Sequence, residues 1–96
     1  MPAAYLIADV EVTDPVQYET YKQLSSAAMR AHGAEVCVRG GALDVLEGDW
    51  QPARLVVLKF PSVAKARAFY DSPEYRLARD ARAGAAIMRM VVVEGL

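Results

Sequence analysis

Few of the residue types that build reactive centres occur in this chain. Its 96 residues include one cysteine, one histidine and one tryptophan. The single thiol, Cys37, cannot form a disulfide within the chain, which suits a reducing compartment. One cysteine and one histidine without paired spacing do not form the usual zinc site. No glycine-rich loop opens a helix as a phosphate cradle would. We therefore expect no metal and no cofactor.

Neither a strong charge nor a long apolar segment is present. The formal net charge is −1, so no global field attracts nucleic acid or an anionic membrane. No apolar run approaches the roughly 18 residues that indicate a membrane helix, and the chain does not open with the pattern of a signal peptide. We expect a cytoplasmic protein with neither a nucleic-acid partner nor a membrane partner.

What the chain does have is apolar surface. Ala, Val, Ile, Leu, Met, Phe, Trp, Cys and Gly make up 53 of the 96 residues, about 55 %, above the roughly 45–50 % usual for soluble domains. A single domain over residues 1–96 is small and buries only about two-thirds of its unfolded surface. The excess indicates a second buried surface, and a symmetric partner is the simplest source of one. We expect a homodimer.

Alternating and three-to-four-residue apolar patterns divide the chain into six elements. Caps and breakers mark the helices: Asp14 with Pro15 begins the first, Ser62 the second, and Ser72 with Pro73 restarts the second after a kink. A glycine pair at positions 40 and 41 indicates a bulge in the second strand, which then resumes. The predicted order is strand 4–12, helix 15–32, strand 35–39 resuming over 42–48, strand 54–60, helix 63–84 in two pieces, and strand 87–95.

This order predicts an α+β fold, the ferredoxin-like βαββαβ plait. Strand–helix–strand crossovers around a central hairpin place both helices on one face of a four-stranded antiparallel sheet. The other face would expose a large apolar patch, which monomers rarely tolerate. Two such sheets packed face to face would form a dimeric α/β barrel, and this agrees with the composition.

Three segments resemble the family known as domain of unknown function 1330. They read AYLIADVEVTDPVQYETY, RGGALDVLEGDWQPARLVVLKFPS and ARAFYDSPEYRLARDAR, and the likeness extends from Ala4 to Gly95. The resemblance implies a dimeric α+β barrel. The superfamily of such barrels also contains antibiotic-biosynthesis monooxygenases and muconolactone isomerase, but the resemblance implies no established reaction for this family.

Two charged residues interrupt apolar strand patterns. Asp9 follows Tyr5 and Ile7 on one face of its strand, and Arg39 shares a face with Cys37. A charge on a covered face must be paired or must serve a ligand. If the two faces are the same, Asp9 and Arg39 line a pocket in which Arg39 holds a carboxylate or enolate. The alternative is a structural ion pair or a rim position.

The other candidates also have a structural alternative. His32 could transfer protons, as could Asp9, or it could simply end the first helix beside a late carbonyl. Trp50, Tyr70 and Tyr75 could form an amphipathic pocket wall or pack in a dimer interface. Cys37, inside a strand, is predicted to be a small buried hydrophobe. We expect at least three of the six candidate residues to border one cavity.

Three functions are compatible with these residues. The first is binding of a small, mostly apolar molecule with an anionic group between sheet and helices. The second is a cofactor-independent enzyme of the monooxygenase or isomerase type, by analogy of fold. The third is a structural or interaction protein, which leaves Asp9 and Arg39 unexplained. The sequence does not identify a substrate.

Overall fold

A computed structural model describes residues 2–96 of the chain. Four strands and three helices follow one another in the predicted order, with the last predicted helix divided into two. The strands are β1 (Ala4–Val12), β2 (Glu35–Arg39), β3 (Arg54–Phe60) and β4 (Ala86–Glu94); the helices are α1 (Pro15–Ala31), α2 (Val63–Asp71) and α3 (Pro73–Ala81).

The four strands form one antiparallel sheet in the order β2-β3-β1-β4. The nearly all-apolar β3 is an inner strand, as its sequence predicts. Along β1 the side chains alternate: Leu6, Ala8 and Val10 are buried under the helices, whereas Ile7 and Asp9 are partly exposed on the opposite, open face. The predicted ferredoxin-like α+β fold is confirmed.

The start of α1 is fixed by a side chain and tied to α3. The carboxylate of Asp14 accepts the backbone N–H of Gln17 at 3.2 Å, as its position before Pro15 predicts. The side chain of Gln17 does not bond back to the start of α1 but reaches the end of α3. Its side-chain amide donates to the carbonyls of Ala81 and Ala83 at 2.9 and 2.8 Å. One residue therefore joins the beginning of α1 to the end of α3.

Ser72 forms the junction between α2 and α3. Its hydroxyl donates to the carbonyl of Phe69 at 2.7 Å and accepts the backbone N–H of Tyr75 at 3.1 Å. The predicted kink is thus confirmed, with Pro73 at the first position of α3. Phe69 is buried and Tyr70 is only partly buried, as expected for neighbours about 100° apart on a helix. The junction turns Tyr75 into the core.

The predicted resumption of the second strand over residues 42–48 is wrong. Residues 41–53 contain no regular structure, because Arg39 already lies opposite Val56 and β3 begins at Arg54, so β3 has no residues left to pair with a β2 continued beyond position 41. The backbone N–H of Gly40 makes the last link, to the carbonyl of Leu55 at 2.9 Å. The segment instead leaves apolar side chains exposed, including Leu46 and Trp50.

One burial prediction is also wrong. Cys37 is exposed, because β2 is an edge strand whose five residues are all exposed. On α3, Tyr75 and Ala78 fill the inner side of the helix, whereas Leu77 is 61 % exposed.

Within residues 2–96, no helix has both the length and the hydropathy needed to cross a membrane.

Candidate functional site

A cavity of about 30 Å³ lies between the helix-covered face of the sheet and the helices. Its walls are mostly apolar, with Leu6 from β1, Phe69 from α2 and three methionines among them. A space of this size holds about two or three water-sized groups. Unbranched methionine side chains adapt their shape readily, so part of the wall can yield to a larger ligand. The methionines are Met29, Met88 and Met90.

Three tyrosines bring hydroxyl groups to this cavity. Tyr18 and Tyr21 project from α1 and Tyr75 from α3, and all three are buried. The hydroxyls of Tyr21 and Tyr75 are 2.7 Å apart, and the rings of Tyr18 and Tyr21 are 5.1 Å apart between centroids. Phenol groups in such an apolar setting need hydrogen-bond partners, and here they supply the polar part of the wall.

Burial keeps two of these phenols neutral. It raises the pKa of Tyr21 far above its ordinary value, and the neighbouring Tyr75 adds to the rise. Burial also raises the pKa of Tyr18, although the positive charge of Arg54 and a hydrogen bond with Arg54 oppose the rise. Neutral phenols are hydrogen-bond donors and poor bases. The lining residues, all in the described part of the chain, include no carboxylate and no imidazole.

Three cationic side chains border the cavity. Lys22 forms an ion pair with Glu19 at 2.9 Å, and Arg39, which is exposed, donates to the hydroxyl of Ser26 at 2.8 Å. Arg54 is partly buried, and its Nε is shielded from solvent without a hydrogen-bond partner in the structure. The site therefore combines phenol donors and positive charge with apolar walls.

The expected pairing of Asp9 with Arg39 is wrong. Arg39 lies opposite Val56, which lies opposite the buried Ala8, so Arg39 is on the helix-covered face. Asp9 is on the open face and accepts from the indole of Trp50 and from Arg89, both at 2.9 Å. The two charges therefore belong to different surfaces of the sheet.

A bulge explains the side on which Arg39 lies. Val36 lies opposite Leu58 and Val38 opposite Val57, so Cys37 is an extra residue in β2. An extra residue reverses the alternation beyond it. Arg39 therefore shares a face with Val36 and not with Cys37. The bulge predicted at the glycine pair therefore lies at Cys37 instead, and β2 ends at Arg39 before the two glycines. Of the pair, only Gly40, with φ of 70°, has a left-handed backbone.

The six predicted site residues are divided among several places. Arg39 and Tyr75 border the cavity under the helices, while Asp9 and Trp50 border a wide, open depression of about 790 Å³ on the other face. The expectation that three of the six border one cavity is therefore not met by these cavities. Tyr70 lies beside Tyr75, with 5.7 Å between ring centroids, but not beside Trp50.

His32 has a structural environment. It ends α1, which is the structural alternative that the sequence predicts for it. Its Nε2 lies 2.7 Å from the carboxylate of Glu74 near the start of α3. The hydrogen bond from His32 lowers the pKa of Glu74. Across residues 2–96, no three His, Cys, Asp or Glu side chains converge as metal ligands would.

Sequence reasoning missed three residues of this site: Tyr18, Tyr21 and Arg54. Both tyrosines lie on the buried side of α1, where their spacing is that of core residues, although a buried phenol that needs a partner is itself a signal. Arg54 opens an apolar strand and was passed over. Its position opposite Val10 places it at the end of β1, on the helix-covered face.

Comparison with known proteins agrees with this architecture. The family described as Domain of unknown function (DUF1330) matches residues 3–96. A search of curated proteins finds no match.

Solved structures similar to this chain share its fold. One is a protein of unknown function from Rhodopseudomonas palustris, with 19 % identity, a TM-score of 0.74 and coverage of 99 % of this chain and 83 % of that one. A dimeric ferredoxin-like protein of unknown function from Thermobifida fusca has 21 % identity, a TM-score of 0.64 and coverage of 97 % and 91 %. SnoaB, a cofactor-independent oxygenase from Streptomyces nogalater, has 10 % identity, a TM-score of 0.66 and coverage of 97 % and 92 %. At these identities the likeness establishes the fold.

Proposed function

The chain belongs to the family of domain of unknown function 1330, and we propose that it is a homodimeric protein that binds a small, mostly apolar molecule carrying an anionic group. The binding site is the cavity between the sheet and the helices. The observation that carries the proposal is the combination of apolar walls with neutral phenol donors and the positive charge of Arg54. Pockets for small molecules are typically apolar with a few placed polar groups.

The open face of the sheet supports the homodimer. Val91, Ile87 and Val93 are each about half exposed there. A single chain exposes 6188 Å², against about 5,400 Å² expected of a monomer of this mass. Two of the similar structures are described as dimeric.

A cytoplasmic location is part of the proposal. The one cysteine of the sequence, Cys37, is exposed on the edge strand. Free, exposed thiols are typical of compartments in which glutathione and thioredoxin keep cysteines reduced. Measurement of the compartment by cell fractionation would test this part independently of ligand binding.

Ligand binding is tested directly on the purified protein. Native mass spectrometry should detect a copurified organic acid, and its removal followed by titration with propionate and benzoate should raise the thermal unfolding temperature. The neutral amides propionamide and benzamide should raise it less. If neither the acids nor the amides bind, and no copurified molecule is found, the proposed binding function is wrong. The alternative of a structural or interaction protein is then favoured.

An enzyme is the second candidate, because SnoaB, which has a similar fold, is a cofactor-independent oxygenase. Chemistry of the oxygenase or isomerase type that begins with proton abstraction needs a base near the substrate, and the residues lining the cavity include no carboxylate or histidine. Incubation of the bound acid with the protein, followed by mass spectrometry, decides between the two. Turnover of the ligand would replace the binding function with an enzymatic one.

A further inference from the structure

Arg54 is the partly buried cation of the cavity, and it has no ion-pair partner among the described residues. Among residues 2–96 the ion pairs join Lys22 to Glu19, His32 to Glu74 and Arg89 to Asp9, and none includes Arg54. Its Nε is buried without a partner. A partly buried charge without a partner is costly unless it serves a ligand.

Gly40 allows the guanidinium to lie where it does. A Cβ at this position would be 2.8 Å from Cζ of Arg54, closer than real contacts allow, and the backbone at Gly40 has φ of 70°. The neighbouring Gly41 has open space around it. Gly40 thus leaves room for the guanidinium against the end of β2.

Tyr18 supplies a second donor next to Arg54. Its side chain lines the same cavity, and the positive charge of Arg54 acts on its phenol. A guanidinium has five N–H donors in a fixed planar arrangement, which matches the two oxygens of a carboxylate. The cavity of about 30 Å³ has room for a group of that size.

From this geometry we infer that Arg54 binds the carboxylate of a small apolar monocarboxylic acid, with Tyr18 as the second donor and Gly40 as the residue that makes room for the guanidinium. The inference deepens the proposed function and rests on it. The carboxylate fills most of the cavity, so the apolar part of the acid takes the space that Met29, Met88 and Met90 yield when their side chains move.

Arg54 is a better anchor than the other cations at the site. Lys22 already has a carboxylate partner in Glu19. Arg39 is exposed and donates to Ser26, so water competes for its charge. The proposal therefore names Arg54, in place of Arg39, as the residue that holds the anion.

The test compares benzoate with benzamide, which has nearly the same shape but no charge, by calorimetric titration. The variant Arg54→Met keeps much of the side-chain length and removes the donors. We expect it to weaken benzoate binding at least about tenfold, as loss of charged hydrogen bonds does, and to change benzamide binding little. Arg30→Met, an exposed position on α1, is the matched control and should leave both affinities unchanged.

The outcomes separate the two proposals. If the unmodified protein binds benzoate and Arg54→Met binds it equally well, the role of Arg54 is wrong while the binding function stands. If Arg39→Met loses benzoate binding and Arg54→Met does not, the role of Arg54 is also wrong. If the unmodified protein binds neither compound and no copurified acid is found, both proposals fail. A far-ultraviolet circular dichroism spectrum of Arg54→Met that matches that of the unmodified protein excludes unfolding as the cause of weaker binding. Gly40→Ala is a second variant, which keeps Arg54 but displaces its guanidinium, and it should also weaken benzoate binding.

Discussion

The hydroxyl of Tyr21 lies 2.7 Å from the hydroxyl of Tyr75, although 54 residues separate them in the chain. Tyr21 is on α1 and Tyr75 is on α3, directly after the junction made by Ser72. Their rings meet edge to face with centroids 6.3 Å apart. The pair joins the two helices in the core and forms part of the wall of the candidate site.

Removing one of these hydroxyls should destabilise the protein. Tyr21→Phe leaves the buried hydroxyl of Tyr75 without its partner, and an unsatisfied buried group costs about 1–3 kcal/mol. Tyr75→Phe should have a similar effect for the same reason. Urea unfolding followed by circular dichroism measures the loss.

The double variant shows whether the hydrogen bond is responsible. With both hydroxyls removed, no unsatisfied group remains, so the total loss should be less than the sum of the single losses by about 1 kcal/mol. Tyr70→Phe, at a partly exposed position, is the control and should change stability little. Additive single losses would show that the two hydroxyls are not coupled.

Stability should fall in alkaline solution because of the buried phenols. Burial raises the pKa of Tyr21, and to a lesser degree that of Tyr18, above the ordinary 10.0. Below pH 10.0 these phenols are protonated in both the folded and the unfolded chain. Above it the unfolded chain loses the protons that the folded chain keeps, so the free energy of unfolding falls by about 1.4 kcal/mol per pH unit for each such tyrosine.

The contribution of Tyr21 can be isolated with Tyr21→Phe. In this variant the fall above pH 10.0 should be shallower by about 1.4 kcal/mol per pH unit. Urea unfolding at several alkaline pH values measures the fall in the free energy of unfolding, and tyrosinate absorbance recorded in parallel measures the ionisation of the phenols. Equal slopes for the two proteins would contradict the buried, neutral state of Tyr21.

The fold was accessible from sequence because its signals are local. Asp14 and Ser72 mark helix starts by side-chain chemistry that needs only neighbouring residues, and β1 alternates with a period of two. The region after Gly40 was misread because its apolar pattern resembles a strand. Whether such a segment extends the sheet depends on the register of β2 against β3, which leaves no residue of β3 opposite positions beyond 41, and the sequence does not reveal that register.

The site was harder to predict because its membership depends on register. Nothing in the letters EVCVR shows that Cys37 is an extra residue, and this one residue decides on which face Arg39 lies. Arg54 is missed for a related reason. Its significance comes from contact with Gly40, fourteen positions earlier in the chain, and from its lack of a carboxylate partner.

Gly40 should tolerate substitution less well than Gly41. At Gly40 the backbone has φ of 70°, which β-branched residues rarely adopt, so Gly40→Val should cost more than about 1 kcal/mol. Gly41 has an ordinary backbone and open space, so Gly41→Val should cost much less. Thermal and urea unfolding of both variants measure the difference, and equal losses would refute the strain at Gly40.

The homodimer should be disrupted by a charge on the open face of the sheet. Val91 on β4 and Leu77 on α3 are almost equally exposed in the single chain, at 59 % and 61 %, but they lie on different surfaces. Val91→Asp places an unpaired carboxylate in the proposed interface, where burial of a charge costs several kcal/mol. We expect dimer dissociation to become at least about 100-fold easier. Leu77→Asp should leave the dimer intact.

Light scattering after size-exclusion chromatography, over a range of protein concentrations, distinguishes the possible interfaces. The unmodified protein and Leu77→Asp should have twice the chain mass, while Val91→Asp should have the mass of one chain. If Leu77→Asp has the mass of one chain and Val91→Asp has twice that mass, the interface lies on the helices. Contact between copies would then cover α3 and leave Ile7 and Val57 exposed. A monomeric unmodified protein would contradict the homodimer altogether. Because Val91 lies opposite Ile7 in the sheet, Ile7→Asp should reproduce the effect of Val91→Asp if the sheet face, rather than one side chain, forms the interface.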